Sequence, residues 1–454
     1  SALPSAHKRH SSGEQTSPLE LWLCMLLLVV SLALWPDLLR TSWRTLLGDA
    51  SPVAGLPAWM VLSGLLVLVA AVQLILVPQE LVTVFAGYGA VNEAWALRPV
   101  LKYGAATTAL YGPLMGIFGP STDVMIATNL VFGLGTVLVA GAFTARLGGD
   151  RLSGLWGVVL VGLIPALLRD RASESILVPM TFWVLASMVH LDGWRRGGCW
   201  RHAIGAVVCA ALALHARPEA WVVLPMLWFA VLALSTEGRG WVRLALGALV
   251  LALPRLWSLL HYATAASQSG DVPGLADGEL AGLIERFIGL NALWWPALFP
   301  PLAAWCALFA LLQPRARRLS IGWCLVAILS WQALSTLDLP PVSAPRTQAP
   351  AMLWAAILAA TFLALLTRMH RWGHVMAALL ALVMLIPSSG TLELLWHPTN
   401  AQRFDRWWDG AIASVEADGR DRCVVALDMS DPPRDSVIRL YPLYELAERS
   451  GRLE

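Results

Sequence analysis

About twelve apolar runs of the length that a membrane-spanning helix needs follow one another along this sequence. A helix needs about 20 apolar residues to cross a bilayer core of about 30 Å, because no water is present there to bond free backbone groups. Hydrophobic residues make up 57% of the chain and charged residues 14%, whereas soluble domains carry about 45–50% and about 25%. The sequence therefore excludes a soluble enzyme with one large core and predicts an all-α polytopic membrane protein.

The apolar runs divide the chain into three predicted units. A polar tail, residues 1–18, precedes a transmembrane domain, residues 19–391, and a small extracytoplasmic α/β domain, residues 392–454, follows it. The strand-like sequence CVVALD and the helical stretches around it indicate the last unit. The predicted spans are 19–35, 57–77, 122–145, 152–168, 174–191, 203–217, 219–234, 244–262, 291–312, 320–336, 348–367 and 374–391.

Two apolar segments need a separate interpretation. The first run, 19–35, is followed by no small-residue cleavage site, so we predict a span and not a signal peptide. Residues 105–119 are apolar but short, and they contain Pro113 and several glycines. This composition predicts an interfacial or re-entrant helix at the outer face.

Arginines sort the loops into two sets. Because short cytoplasmic loops carry an excess of basic residues, the more basic set is assigned to the cytoplasm. The outer loops 78–121 and 263–290 and the C-terminal unit then lie on the extracytoplasmic side. The residues that set this orientation are Arg146, Arg151, Arg195, Arg196, Arg201, Arg239, Arg243, Arg315, Arg317, Arg318, Arg368 and Arg371.

Several kinds of functional site find no support in the sequence. The net charge of +2 gives no field that would attract nucleic acid. Nucleotide-binding, zinc-protease and serine-hydrolase motifs are absent, and the six cysteines show no CxxC spacing. His370 and His374 have ligand spacing, but neighbouring arginines make a membrane-surface patch the better interpretation. We therefore predict no metal and no cofactor.

The candidate site residues gather in the predicted outer loops. Carboxylates beside arginines suit a reaction on a phosphate-linked substrate, since arginine binds phosphate bidentately while a carboxylate accepts a proton from a hydroxyl. Ordinary structural roles are equally compatible with each residue alone. Arg169, Asp170 and Arg171 fit a solvated turn, Arg217 with Glu219 fits an ion pair at a helix end, and a carboxylate such as Glu80 suits a helix N-terminus.

The order of these elements resembles a known family. The phrase YGPLMGIFGPS ends the short helix, RLGGDR forms a cytoplasmic loop, ALHARPEAWVVLP joins two spans, and APRTQAPAMLW begins a late one. They resemble the bacterial polytopic glycosyltransferases of the GT-C fold, a superfamily that includes protein O-mannosyltransferases and the aminoarabinose transferase of lipid A. The resemblance implies transfer of a sugar from a polyprenyl-phosphate donor to an acceptor at the extracytoplasmic face of the inner membrane, with inversion of the anomeric centre.

The resemblance also implies roles for individual residues. The acidic pair of the family's first outer loop falls on Gln79 and Glu80, so that Gln79 stands where the catalytic aspartate is expected. Glu80 or Glu93 would then act as the base, and Glu174 would be the second acidic residue. The residues implied to bind the phosphate-linked substrate are Gln79, Arg98, Lys102, Arg171, Arg217 and Arg346.

Two departures from the family keep other functions open. Gln79 cannot accept a proton as a carboxylate does, and the span 19–35 lies ahead of the family's usual first helix. Both favour an inactive scaffold, or a subunit that works with a partner, as the alternative to an active transferase. A lipid or solute transporter is the third hypothesis, although the mid-span charges that such a protein uses are few here.

Overall fold

The computed structural model of the chain describes residues 17–48, 55–77, 91, 94–97, 99, 104–173, 175–197, 199–217, 220–232, 241–269, 306–313, 344–369 and 372–385. Within this part the regular structure is helical. A π-helical turn, Val72–Leu76, extends α2, and a 3-10 turn covers Ala310–Leu312. The α-helices are α1 Pro18–Leu47, α2 Ala58–Ala71, α3 Ala105–Phe118, α4 Thr122–Gly148, α5 Arg151–Leu163, α6 Pro165–Arg171, α7 Leu177–Gly197, α8 Trp200–Ala216, α9 Ala220–Leu232, α10 Trp241–Ser269, α11 Ala344–Met369 and α12 Gly373–Leu385.

The helices follow the predicted spans where the structure describes them. Five stretches are long and apolar enough to cross a membrane by length and composition: Pro18–Leu47, Ala58–Leu76, Thr122–Gly148, Val242–Leu260 and Met352–Met369. The predicted run 152–168 is divided between α5 and α6. The runs 291–305 and 320–336, the outer loop 270–290 and the α/β unit 392–454 lie outside the described residues. The all-α class is therefore confirmed for the described part, while the count of twelve spans stays a prediction.

The centre of the bundle is α4, which packs against α1, α5, α7 and α11. Small residues allow the close approach of α4 and α5: a Cβ on Gly141 would lie 2.5 Å from Val158, and one on Gly157 would lie 2.7 Å from Thr144 Oγ1. Helices in a membrane associate through such close packing, because lipid tails leave no hydrophobic drive between them. The α4–α5 hairpin is thus fixed by shape.

The first helix is an integral part of this core. Its Trp35 ring lies 5.0 Å, centroid to centroid, from Phe132 of α4 and equally close to Phe182 of α7. Edge-to-face and tilted arrangements of this kind favour a fixed geometry. One face of the segment 19–35 is therefore packed against the bundle, while Trp22, Leu26 and Val29 on the same helix are exposed.

The two ends of the bundle differ in their charged residues. At one end, which we name the arginine-rich end, the loops after α4 and α7 meet the C-terminal halves of α1 and α11. Its interhelical ion pairs are Arg146–Asp192, Arg201–Asp37 and Arg368–Asp150. The residues predicted to be cytoplasmic thus meet in space. The opposite end, which we name the Glu20 end, contains the starts of α1, α4 and α7 and the ends of α2, α6 and α8.

Candidate functional site

Tyr111 and Asn129 connect three segments at the Glu20 end. Tyr111 Oη donates a hydrogen bond to Asn129 Oδ1 at 2.6 Å, and Asn129 Nδ2 donates to the carbonyl oxygens of Ser173 (2.7 Å) and Ser175 (3.0 Å). Asn129 is fully buried, and a buried amide is stable only when its polar atoms are bonded. The connection therefore fixes the two residues on either side of Glu174 relative to α3 and α4.

Residues 94–97 pack against α3 beside this connection. They are a short part of the predicted first long loop, residues 78–103. A Cβ on Gly112 would come within 2.5 Å of Leu97 Cδ2 and 2.8 Å of the Ala94 carbonyl oxygen. Only glycine lets a neighbouring backbone approach a helix this closely. Because 94–97 lies between Glu93 and Arg98 in the sequence, α3 joins this part of the loop to the turn around Glu174.

A buried ionisable cluster lies next to α3 and joins α1, α8 and α10. Glu20 Oε1 is 3.0 Å from His215 Nδ1, and Ser258 Oγ donates to Glu20 Oε2 at 2.7 Å. The side chains of Glu20 and His215 are fully buried. A carboxylate within a membrane bundle is costly unless it is paired and hydrogen-bonded. Here both carboxylate oxygens have partners, each on a different helix.

The hydrogen bonds of His215 indicate which ring nitrogen carries a hydrogen. His215 Nε2 lies 2.9 Å from the Leu251 carbonyl oxygen, which can only accept, so Nε2 carries a hydrogen. The contact between Nδ1 and Glu20 then requires one further proton, on either the imidazole or the carboxyl group. In both arrangements a hydrogen bond joins the two buried side chains, as buried polar groups require.

Gly104 links this cluster to the end of the first long loop. Its backbone, with φ 75° and ψ 170°, is in a region that is essentially restricted to glycine. A Cβ there would collide with the His215 carbonyl oxygen and lie 3.0 Å from Nε of the fully buried Arg255. The loop thus joins α3 at a point enclosed by α8 and α10. His215 precedes Arg217 by two residues. Gly104 and the predicted ligand Arg217 therefore both lie next to His215.

Arg171 has a structural environment of its own. The chain breaks between α5 and α6 at Pro165, which has no N–H to bond the Val161 carbonyl. Arg171 Nη1 donates to that carbonyl at 2.9 Å, Nη2 donates to the Gly162 carbonyl, and Nε donates to Gln73 Oε1 at 3.2 Å. Gln73 in turn donates to the Leu168 carbonyl. The guanidinium group thereby donates hydrogen bonds to backbone carbonyls at the break between α5 and α6.

A small cavity lies beside Arg171. Its volume of about 20 Å³ is enough for one water molecule. Thr181 lines it with a buried hydroxyl that has no hydrogen-bond partner among the described residues. Gly133 on α4 provides the space for the arginine stem, because a Cβ there would overlap Arg171 Cδ. Phosphate binding by Arg171 would require the bonds to Gln73, Val161 and Gly162 to break.

The structure describes three of the predicted site residues in part or in full: Arg171, Arg217 and Arg346. Arg171 is buried, as is Arg169, so the alternative of a solvated turn is wrong. Arg217 ends α8 with an extended backbone, φ −155° and ψ 151°. Arg346 belongs to the first turn of α11, and its side chain lies outside the described set. Outside it altogether are Gln79, Glu80, Glu93, Arg98, Lys102 and Glu174, whose roles stay predictions.

Three polar residues that connect segments at the Glu20 end were missed by sequence reasoning: Glu20, Tyr111 and Asn129. A sequence signal existed for Glu20, since Ser17-Pro-Leu-Glu20 has the spacing of a capping box. Ser17 Oγ does accept a hydrogen bond from the Glu20 N–H at 3.2 Å, but the Glu20 carboxylate is directed to His215 instead. Among the described residues, no group of three metal-binding side chains lies close enough to hold an ion.

Solved structures share this arrangement of helices. The crystal structure of ArnT from Cupriavidus metallidurans bound to undecaprenyl phosphate matches 87% of this chain and 89% of its own, with 14% sequence identity and a TM-score of 0.51. The chain has the GT-C fold. The fold resemblance inferred from the sequence is thereby confirmed, and the chain is an integral membrane protein.

Two further solved structures show a weaker similarity to the chain. Apo ArnT from the same organism is 15% identical over 79% of this chain and 69% of its own, with a TM-score of 0.45. The Archaeoglobus fulgidus oligosaccharyltransferase, in complex with Zn and sulfate, is 14% identical over 78% of this chain and 55% of its own, also with a TM-score of 0.45. No protein-family model matches the sequence, and no curated protein matches it significantly.

Proposed function

We propose that this protein transfers a sugar from a polyprenyl-phosphate donor to an acceptor at the Glu20 end of its bundle. We assign this end to the extracytoplasmic face of a bacterial inner membrane, following the arginines at the opposite end. The observation that carries the proposal is the fold shared with ArnT, whose crystal structure holds undecaprenyl phosphate. The undecaprenyl phosphate bound to ArnT supports a polyprenyl phosphate as the lipid ligand proposed for this chain.

The described geometry supports a site at the Glu20 end. Residues 94–97 contact α3. Ser173 and Ser175, on either side of Glu174, bond to Asn129 of α4, which bonds to Tyr111 of α3. Arg217 follows His215 of the Glu20 cluster by two residues. In the proposed reaction Glu80 or Glu93 accepts a proton from the acceptor hydroxyl. The hydroxyl oxygen forms the new glycosidic bond as the bond to the phosphate breaks, and arginines bind the departing phosphate.

The test uses the purified full chain in nanodiscs. Undecaprenyl phosphate binding is measured by native mass spectrometry against phosphatidylglycerol, and turnover is measured as release of undecaprenyl phosphate from a panel of undecaprenyl-phosphate-linked sugars with membrane extract as acceptor. We expect preferential binding and turnover of at least one donor. Glu80→Gln or Glu93→Gln should reduce turnover by about 10²-fold or more, the range that general-base catalysis supplies.

A matched control is available at the same end of the bundle. Asp123 is an exposed carboxylate in the first turn of α4, so Asp123→Asn makes the same chemical change outside the site and should leave turnover unchanged. Absence of preferential undecaprenyl phosphate binding would overturn the proposal. Full turnover in both glutamate variants would overturn the assignment of the base.

The bonds of Arg171 favour a second candidate, a GT-C-fold protein that binds a lipid-linked substrate without transferring it and assists a partner subunit. One of the predicted phosphate ligands is committed to protein carbonyls, and Gln79 replaces the expected aspartate. Binding without turnover of any donor in the assay above selects this candidate.

A further inference from the structure

We propose that Glu20 is a positioning residue for the donor site: through His215 it holds the end of the first long loop and the start of the Arg217 segment in register. The inference rests on the proposed function, because it assigns Glu20 a part in the same site. Glu20 is fully buried and is therefore placed to act through other residues and not on the substrate.

The first step is the fixation of the His215 ring. Both imidazole nitrogens are bonded, Nδ1 to Glu20 on α1 and Nε2 to the Leu251 carbonyl on α10. A ring held at both nitrogens has one orientation. His215 lies in the last turn of α8, and Arg217 begins two residues later. The bond between His215 and Glu20 thus fixes the end of α8, from which the chain continues at Arg217.

The second step is the contact of His215 with the first long loop. Gly104 packs directly on the His215 carbonyl oxygen, with Arg255 on its other side. A displacement of the last turn of α8 therefore moves the point at which the loop joins α3. Since 94–97 of the same loop packs on Gly112 of α3, such a displacement reaches both sides of the segment that carries Arg98 and Lys102.

The third step is the convergence of three helices on one carboxylate. Ser258 of α10 donates to Glu20 Oε2, and its hydroxyl is also 3.1 Å from the Pro254 carbonyl oxygen. Because α1, α8 and α10 meet at Glu20, loss of this side chain removes direct bonds from α1 to both partner helices at this level. Gly104 and Arg217 are then no longer held in a fixed position relative to α1. The aromatic contacts around Trp35, deeper in the bundle, are kept.

The variants are chosen to separate alignment from packing. Glu20→Leu removes both side-chain bonds. Glu20→Gln keeps them, because a glutamine amide can donate to His215 Nδ1 while its oxygen accepts from Ser258. Ser258→Ala removes one bond and provides a milder variant should Glu20→Leu fail to fold. Ser31→Ala is the matched control, since Ser31 Oγ contacts Cys209 Sγ at 3.8 Å between the same helices α1 and α8.

Two measurements are made on each full-length variant in nanodiscs: hydrogen–deuterium exchange of peptides 94–112 and 213–222, and the steady-state kinetics of undecaprenyl-phosphate sugar turnover. For Glu20→Leu we expect faster exchange in both peptides and a KM for the donor raised about tenfold with kcat within about twofold, the signature of lost substrate binding. Ser258→Ala should show the same changes at smaller size. Glu20→Gln and Ser31→Ala should match the wild type.

Unchanged exchange and unchanged KM in Glu20→Leu would overturn the inference. Equal loosening in Ser31→Ala would also overturn it, because the effect would then be general to the α1–α8 contact. If the wild type turns over no donor, the proposed function fails. The exchange data still decide whether Glu20 couples the two segments.

Discussion

At the Glu20 end the ion pair that connects helices is buried, whereas at the arginine-rich end two of the three interhelical ion pairs named above contain an exposed arginine. Glu20 and His215 are 0% exposed, while Arg201 and Arg368 are 58% and 45% exposed in their ion pairs. Exposed pairs gain little, because water and salt compete for both charges. Buried pairs are costly to break, since the remaining partner stays desolvated.

The difference separates two uses of charge in one bundle. Arginines at the arginine-rich end are predicted to set the membrane topology, because their number in the loops matters more than their individual partners. Residues at the Glu20 end serve geometry, because each bond there joins segments distant in sequence, such as Glu20 and Ser258 on α1 and α10. Substitutions at the Glu20 end should therefore have large and specific effects, and those at the exposed end small ones.

Gly104 provides the most sensitive test of this tightly fitted end. Gly104 and Gly119 flank the same helix and share a backbone conformation, with φ 75° and ψ 170° against φ 90° and ψ 156°. A Cβ on Gly119 meets nothing within 4 Å, whereas one on Gly104 collides with backbone of His215. Gly119→Ala should cost about 1–3 kcal/mol of backbone strain. Gly104→Ala should cost at least about as much again, because a backbone carbonyl cannot rotate away.

The measurement is thermal unfolding of both variants purified in detergent, followed by tryptophan fluorescence, together with the yield of monodisperse protein. Gly104→Ala should give the lower melting temperature and the lower yield. Equal melting temperatures for the two variants would contradict the close packing of Gly104 against α8.

Much of the fold followed from the sequence because membrane helices are specified by composition over about 20 residues. The predicted run 57–77 corresponds to α2 with its π-helical turn, and the run 122–145 lies within α4. The break between α5 and α6 was not predicted, although Pro165 was a signal for it. The close packing of α4 against α5 could also not be predicted, because a glycine indicates that something approaches the helix closely but not which segment does so.

The site was harder to predict than the fold. The phrase around Arg217 drew attention to the right end of α8, but nothing in it pointed to Glu20, which lies 195 residues away from His215 in the chain. Asn129 lies in an apolar run of α4, and two of its three partners are backbone carbonyls, which any sequence could supply. Roles that depend on bonds to backbone leave no pattern of residue types, and only the three-dimensional structure reveals them.

Arg146 tests whether burial, and not location, decides the strength of an ion pair. It lies at the arginine-rich end, but its side chain is only 10% exposed, and Nη1 lies 3.3 Å from Asp192 Oδ2 and 3.1 Å from the Val189 carbonyl oxygen. Arg146→Ala should lower stability by about 1–3 kcal/mol, because it leaves buried acceptors with fewer donors. Asp192 keeps Arg196 at 3.0 Å, which limits the loss. A cost below about 0.5 kcal/mol in denaturant unfolding would show that burial is not the deciding factor.

Arg201 gives the smallest expected effect and completes the comparison. Arg201 Nη1 lies 3.0 Å from Asp37 Oδ2, and the two side chains are 58% and 36% exposed. Its guanidinium group also lies over the exposed Trp200 ring at 5.8 Å. Arg201→Ala should cost about 0–1 kcal/mol, and raising the salt concentration should reduce the difference from wild type, since screening weakens exposed pairs. A salt-independent loss as large as that of Arg146→Ala would mean that the pair acts as a buried bond, and the contrast between the two ends would then rest on the Glu20 cluster alone.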